Sequence, residues 1–318
     1  MILRGIDFGS ILCASGAQGF FGEGYWFHKF LKPFGLNFNG CTFVAKTTTL
    51  NARPGNMPLG ADGITPKEFV PSCIKVYPLK GVILNAVGLS GPGAKALFEK
   101  GLWQQRKQPF FLSFMSVEKE KSERLSELRA FVKLFKQHLP QFRAKVGLQI
   151  NYSCPNVGLN IAKLIDEAKT GLKIAAELGI PIMPKFNVLA PVDAVKQITD
   201  EKDCDAICVS NTIPWWQFEE RIDWDKLFGT GFSPLMEFGN GGLSGWPLLE
   251  LVKEWVISAR VAGITKPINA GGGILRPKDV DVLCEAGASS VFIGSMASLR
   301  PWRVQRTIKR ANKLFSPA

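Results

Sequence analysis

Histidine and paired cysteine are what this sequence lacks. Among 318 residues there are only two histidines, His28 and His138, and neither stands in a polar cluster. Any acid or base for a reaction must therefore come from another residue type. The seven cysteines, at 13, 41, 73, 154, 204, 208 and 284, are odd in number, widely spaced and form no CxxC pair. That pattern fits reduced thiols in a cytosolic compartment and argues against a disulfide framework. Cys204 and Cys208 have a ligand's spacing but no second pair beside them, so no metal is expected. No apolar run approaches the roughly 18 residues of a membrane span. The start, Met1-Ile2-Leu3-Arg4-Gly5-Ile6-Asp7, lacks the charged-then-apolar plan of a signal peptide. The expectation is a cytoplasmic protein with no membrane attachment.

Positive charge is in excess. The net charge of +12 would suit a polyanionic partner, yet it is spread along helical segments such as 119–136 and 303–313. Solvated helix faces explain that spread better than a nucleic-acid surface does. An anionic small substrate or a phosphate-bearing cofactor would tolerate the same field.

Short apolar runs ending in Gly, Pro or polar tips recur along the chain. They are 11–14, 42–45, 110–112, 148–150, 181–184, 206–209, 267–269 and 290–293, with helical patterns at 91–104, 119–138, 160–178, 191–201, 247–263 and 277–286. Eight strands alternating with helices in this length is the plan of a single (β/α)8 TIM barrel domain over 1–318. An open doubly wound sheet would want a GxGxxG turn after its first strand, and none is there. Two stretches fall outside the repeat, 50–90 and 213–240. The first holds two further strand-like runs, 74–77 and 82–84, and the second is rich in Trp and Phe. Insertions of this kind are expected to cover the carboxyl face of the barrel.

The strand tips carry polar groups: Ala14-Ser15-Gly16, Lys46-Thr47, Ser113, Asn151 to Asn156, Lys185, Ser210-Asn211-Thr212, Gly272-Gly273 and Gly294-Ser295. Glycines after strands seven and eight suit a phosphate site, since backbone N–H groups can approach the anion. Lys46 and Lys185 could stabilise negative charge on a cofactor or substrate. Cys154 lies in a polar loop at the end of strand four. A thiol there, with a usual pKa of about 8.5, can act as base or nucleophile.

With these tips in place the chain resembles the class 1 branch of the dihydroorotate dehydrogenases. The motifs run from Ala-Ser-Gly at 14–16 through Lys-Thr-Thr at 46–48, Asn-Ala-Val-Gly-Leu at 85–89 and Asn-Tyr-Ser-Cys-Pro-Asn at 151–156. They continue with Pro-Lys at 184–185, Ser-Asn-Thr at 210–212, Gly-Gly-Leu-Ser-Gly at 241–245, Gly-Gly-Gly-Ile at 271–274 and Ile-Gly-Ser at 293–295. The resemblance implies FMN over the barrel mouth, its phosphate on Gly272, Gly273, Gly294 and Ser295. Lys185 would lie near the ring's electron-rich edge. Ala14, Ser15, Gly16, Lys46, Thr47, Ser113, Asn151, Ser210, Ser244 and Gly245 would complete the cradle. Dihydroorotate or orotate would be held by Lys46, Asn85, Gly88, Leu89, Asn151, Asn156, Asn211 and Thr212. Cys154 would remove the C5 proton while hydride passes from C6 to the flavin. The resemblance further implies a homodimer, with fumarate as electron acceptor or NAD reached through a partner subunit.

At four places the sequence departs from that family pattern. Cys13 stands where Asn usually precedes Ala-Ser-Gly, and no Arg ends the Gly55-Asn56-Met57-Pro58-Leu59-Gly60 run. The 50–90 segment is longer than the pattern, and Pro214-Trp215-Trp216 follows Asn-Thr where small residues are usual. A tRNA dihydrouridine synthase, also an FMN barrel, is the other enzyme compatible with the charge, but its strand-six histidine is missing here. A barrel that has lost its activity and serves as a binding subunit is the non-enzyme alternative.

Overall fold

The computed structural model describes residues 1–152, 161–229 and 231–315. A hairpin of β1 (Ile2–Leu3) and β2 (Ile6–Asp7), turned by Arg4 and Gly5 at positive φ, precedes β3 (Ile11–Cys13) and α1 (Trp26–Leu31). The first insertion supplies β4 (Ile74–Tyr77) and β5 (Val82–Asn85), followed by α2 (Ala94–Glu99). Strand and helix then alternate: β6 (Phe110–Phe114), α3 (Lys121–His138), β7 (Val146–Asn151), α4 (Ile161–Ala176), β8 (Ile182–Phe186), α5 (Val192–Thr199) and β9 (Ile207–Val209). The second insertion carries β10 (Ile213–Pro214) and α6 (Trp224–Phe228), and leads to β11 (Gly242–Gly245). The chain ends with α7 (Leu248–Val261), β12 (Ile268–Ala270), α8 (Asp279–Glu285), β13 (Ser290–Ile293), α9 (Met296–Leu299) and α10 (Val304–Leu314).

Seven parallel strands form one sheet in the order β3-β13-β12-β9-β8-β7-β6. Its two edges, β3 and β6, are joined by residues 42–48, of which 42–45 were expected as the second strand. This segment makes parallel bridges Leu12 to Thr42, Val44 to Phe111 and Thr48 to Phe114. Cys13 N–H donates to Thr42 O at 2.8 Å and Ala45 N–H to Phe111 O at 2.9 Å. The segment is too irregular for a continuous ladder, but it satisfies both edges and so closes the barrel.

Every residue of β6, β7 and β8 is buried, as strands covered on both faces must be. One face of the barrel wall packs on the helices. There α3 buries Leu125, Leu128, Phe131, Val132 and Phe135 at helical spacing, with its lysines turned outward. The other face fills the barrel with Leu12, Val44, Phe111, Met183, Cys208 and Phe292. Truncating Phe111 to Ala in that inner layer would cost about 3–5 kcal/mol.

The two insertions meet. β10, β11, β5 and β4 form a separate four-stranded antiparallel sheet in that order. Its β11 leads directly into α7, which brings it to the carboxyl ends of the barrel strands.

Candidate active site

Side chains alternate across a strand, so the inner layer just described fixes what comes next along each strand. Two residues beyond Leu12, Val44, Phe111, Gln149, Met183, Cys208, Asn269 and Phe292 stand Ala14, Lys46, Ser113, Asn151, Lys185, Ser210, Gly271 and Gly294. The same period that packs the barrel with apolar groups therefore crowns it with a polar ring. Seven of these eight ring residues are site candidates from sequence; Gly271 belongs to the same glycine run without being assigned a contact of its own.

One arc of the ring is tied together by side chains. Ser15 Oγ donates to Ala45 O at 2.8 Å and lies 2.7 Å from Thr47 Oγ1, which is 2.9 Å from Ser113 Oγ. Asn151 Nδ2 donates to the same Thr47 oxygen at 2.9 Å. The hydroxyl protons then have one consistent order. Ser15 gives to Ala45, Thr47 to Ser15, and both Ser113 and Asn151 give to Thr47. This leaves Asn151 Oδ1 buried with no partner among the described residues. An orphaned buried acceptor costs about 1–3 kcal/mol, a cost that an incoming donor would relieve. Gln149 Oε1, one layer below, is likewise unpaired.

Two buried lysines flank that arc. Lys46 donates from Nζ to Ser90 O and lies over the Phe20 ring, its Nζ 4.4 Å from the centroid. Burial pulls its pKa down to about 8, against a smaller upward pull from Glu23. Lys185 is paired with Asn151 across β7 and β8, and its Nζ is 5.1 Å from the Phe292 centroid. Burial lowers its pKa too, with Cys208 acting weakly the other way. No salt bridge joins either lysine to a carboxylate among the described residues. Two desolvated cations at one mouth favour an anionic ligand.

A second constellation faces them from the small sheet. Asn85 Nδ2 donates to Gly242 O at 3.4 Å, and the Thr212 hydroxyl packs so closely on Gly242 that an added Cβ would lie 2.3 Å from it. Asn211 N–H donates to Phe186 O at 3.0 Å, fixing that tip against β8. Gly88 and Leu89 both have positive φ, at 69° and 61°. They shape the loop that delivers Ser90 O to Lys46. Ser210 is turned to its own loop, donating to Asn211 O at 2.6 Å and accepting from Val188 N–H.

The opposite arc has almost no side chains. Ala14 and Gly294 touch, since a Cβ on Gly294 would stand 2.8 Å from that of Ala14. Gly273, at φ +79°, could not carry a Cβ without meeting Leu249 N at 2.5 Å. Gly245, at φ +119°, is as tightly placed, 2.2 Å from Gly81 O by the same measure. The backbone N–H groups of Gly272, Gly273, Gly294 and Ser295 make no hydrogen bond to another described residue. Ser244 makes one long bond, to Ile83 O at 3.4 Å. Gly16 is pinned from outside, its carbonyl accepting from Tyr25 Oη at 2.6 Å.

Sequence reasoning passed over three polar groups here: Gln149, Tyr25 and Asn187. Asn187 Nδ2 donates to Thr212 O, bridging the tips of β8 and β9. Asn187 lies two residues past Lys185, and that spacing was the available signal. Cys154 and Asn156 lie outside the described residues. Among those described, no group of three or more His, Cys, Asp or Glu could hold a metal, and no helix is long and apolar enough to cross a membrane.

A family model described as dihydroorotate dehydrogenase matches residues 3–314. The chain belongs to the dihydroorotate dehydrogenase family. It is 30% identical over 273 residues to dihydroorotate dehydrogenase A (fumarate) of Lactobacillus delbrueckii subsp. bulgaricus, covering 83% of this chain and 77% of that one. It is 27% identical over 277 residues to the catalytic subunit of dihydroorotate dehydrogenase B (NAD(+)) of Saccharolobus solfataricus, covering 84% and 79%. The fold is shared with the structure of the Eimeria tenella enzyme in complex with ferulenol. There the TM-score is 0.66 at 20% identity, over 97% of this chain and 82% of that one. Enzymes of the class 1 family are FMN-dependent oxidoreductases. The residues present fit that cofactor: an unpaired buried acceptor on Asn151, two buried lysines, and uncommitted N–H groups along a glycine arc too tight for side chains.

Proposed function

We propose that this chain oxidises dihydroorotate to orotate in pyrimidine biosynthesis, in the cytoplasm and as one barrel domain over 1–318, with the residues of the polar ring in the following roles. The observation that carries the reading is the unpaired Asn151 Oδ1 held between buried Lys46 and Lys185. A dihydropyrimidine carboxylate offers both a ring N–H and a negative charge to that pair of demands. FMN, when bound, supplies the hydride acceptor.

Gly272, Gly273, Gly294 and Ser295 hold the cofactor's phosphate through their backbone N–H groups, and Ala14, Ser15, Gly16, Ser210, Ser244 and Gly245 line its cradle. Lys185 holds positive charge at the ring's electron-rich edge. Thr47, Ser113 and Asn151 act as one unit, in which the two hydroxyls fix the amide so that its oxygen faces the ligand. Lys46 takes the substrate carboxylate, while Asn85, Gly88, Leu89, Asn156, Asn211 and Thr212 take the remaining polar edge. Cys154, three residues beyond Asn151, accepts the C5 proton as its thiolate, so flavin reduction speeds up as pH rises towards the ordinary thiol pKa of about 8.5. The acceptor for the second half-reaction is fumarate, or NAD reached through a partner subunit, and the working unit is a homodimer.

Anaerobic mixing of the purified flavoprotein with dihydroorotate tests the reading. The oxidised flavin band should bleach within the mixing time or shortly after, and Cys154→Ser should slow the bleaching by orders of magnitude. A flavin that stays oxidised for minutes rejects the substrate. A Cys154→Ser variant as fast as the parent removes that residue from the mechanism.

A further inference from the structure

Two thiols meet beside the cradle. Cys13 Sγ and Cys41 Sγ are 3.1 Å apart, closer than ordinary sulfur contact, and the Gln18 side-chain amide donates to Cys13 Sγ at 2.8 Å. Cys13 is buried at the end of β3, one residue before Ala14, and Cys41 is half-buried at the entry to the 42–48 segment. The backbones they belong to are already locked in register, because Thr42 N–H donates to Ile11 O and Cys13 N–H to Thr42 O. Disulfide formation would need the sulfurs to close from 3.1 Å to the usual S–S length of about 2.05 Å. No role in the reaction falls to either residue, and among the described residues no other cysteine pair is placed in sulfur contact.

We propose that Cys13 and Cys41 form a peroxide-responsive thiol pair, reversibly oxidised to a disulfide that ties the first two barrel strands together next to the cofactor cradle. The chemistry balances in two steps. Hydrogen peroxide, or an organic hydroperoxide, oxidises the more accessible Cys41 thiol to a sulfenic acid and releases water or the alcohol. Cys13 then attacks the Cys41 sulfur, its proton leaves with the hydroxyl as a second water, and the S–S bond forms. Two thiols lose two electrons in total, and one peroxide gains them. A dithiol reductant such as dithiothreitol returns both thiols. Burial raises the Cys41 pKa, with Cys13 adding to the rise, so oxidation of the Cys41 thiol speeds up as pH increases.

Peptide mapping of the intact, flavin-loaded enzyme tests this directly. After stoichiometric hydrogen peroxide and alkylation of remaining thiols, non-reducing digestion should yield one cross-linked species joining the Cys13 and Cys41 peptides. The titratable thiols of the denatured protein should fall from seven to five, and dithiothreitol should restore seven. Cys41→Ser, at the half-buried position, should abolish the cross-link and leave Cys13 as an alkylatable thiol. The mapping reads the sulfurs themselves and holds whichever substrate the flavin turns over. Cysteines 13 and 41 both alkylated after peroxide, a cross-link between other positions, or Cys41 carried on to sulfinic acid without a cross-link would each overturn the proposal.

Discussion

The two arcs of the barrel mouth solve the same problem by opposite means. From Lys46 through Ser113 and Asn151 to Lys185 and Ser210, the ring is made of buried side chains, and Thr47 ties Ser113 and Asn151 together within it. From Gly271 through Gly294 to Ala14, it is made of backbone, with no side chain larger than a methyl. A side-chain arc can be tuned one group at a time, and each loss is felt as an unpaired partner. A backbone arc cannot be tuned, because any added atom displaces main chain. The two arcs should therefore respond to mutation in different currencies: fold and cofactor retention on the glycine side, ligand affinity and its pH dependence on the other.

The largest effect is expected from filling the bare arc. In Gly271→Ala the new Cβ would stand 2.5 Å from Phe292 O and 2.6 Å from the Phe292 ring. Neither can retreat cheaply, because Phe292 is paired with Leu12 between β13 and β3 and supports Lys185 from below. A loss of about 3 kcal/mol in denaturant unfolding is expected, with flavin lost on purification. Normal stability with flavin retained would show that the arc has slack.

Next comes the hub of the other arc. Thr47→Val keeps the shape and removes the oxygen that serves Ser15, Ser113 and Asn151. It should cost about 2 kcal/mol of stability and loosen the Asn151 amide, while Thr47→Ser should restore most of both. Equal effects of Val and Ser would mean that packing, not the hydroxyl, is what Thr47 contributes.

Lys46 sharpens the comparison through pH. Its folded pKa of about 8 lies below the free value of 10.5. Between those two values the unfolded chain binds more protons, so wild-type stability should rise with pH across that window, as the burial penalty is relieved. Lys46→Met should lack this rise. Binding should move the other way: affinity for an anionic ligand such as orotate should fall towards tenfold per pH unit above pH 8 in the wild type and stay flat in the variant. A flat wild-type profile would remove Lys46 as the charge that the ligand meets.

Much of the arrangement is legible along the chain, and the limits are physical. The eight apolar runs could be found because strands buried on both faces read as continuous apolar stretches. The polar ring follows from counting by two from Phe111, Met183 or Phe292, a step that depends only on the strand period. The pairing of β5 with β11 could not be read, because residues 82–85 and 242–245 are far apart along the chain and nothing local to either run specifies its partner. The 42–45 run was expected as an ordinary strand. Its bridges are shared between two edges, an outcome of barrel closure and not of local sequence. The contact of Cys13 with Cys41 was hidden for the same reason: it depends on the register between two strands 28 residues apart.

Ser244 separates cradle from scaffold most finely, and its effect should be the smallest. Its hydroxyl spends itself on one bond of 3.4 Å to Ile83 O, at the margin of hydrogen bonding, within a β11 pairing that the backbone already secures. Ser244→Ala should therefore change unfolding stability by less than about 0.5 kcal/mol. If that hydroxyl instead turns to FMN in the loaded enzyme, cofactor affinity should fall several-fold while stability stays level. The ratio of the two effects decides its place. A stability loss as large as the affinity loss would assign Ser244 to the small sheet, and an affinity loss alone would extend the side-chain arc across the mouth onto β11.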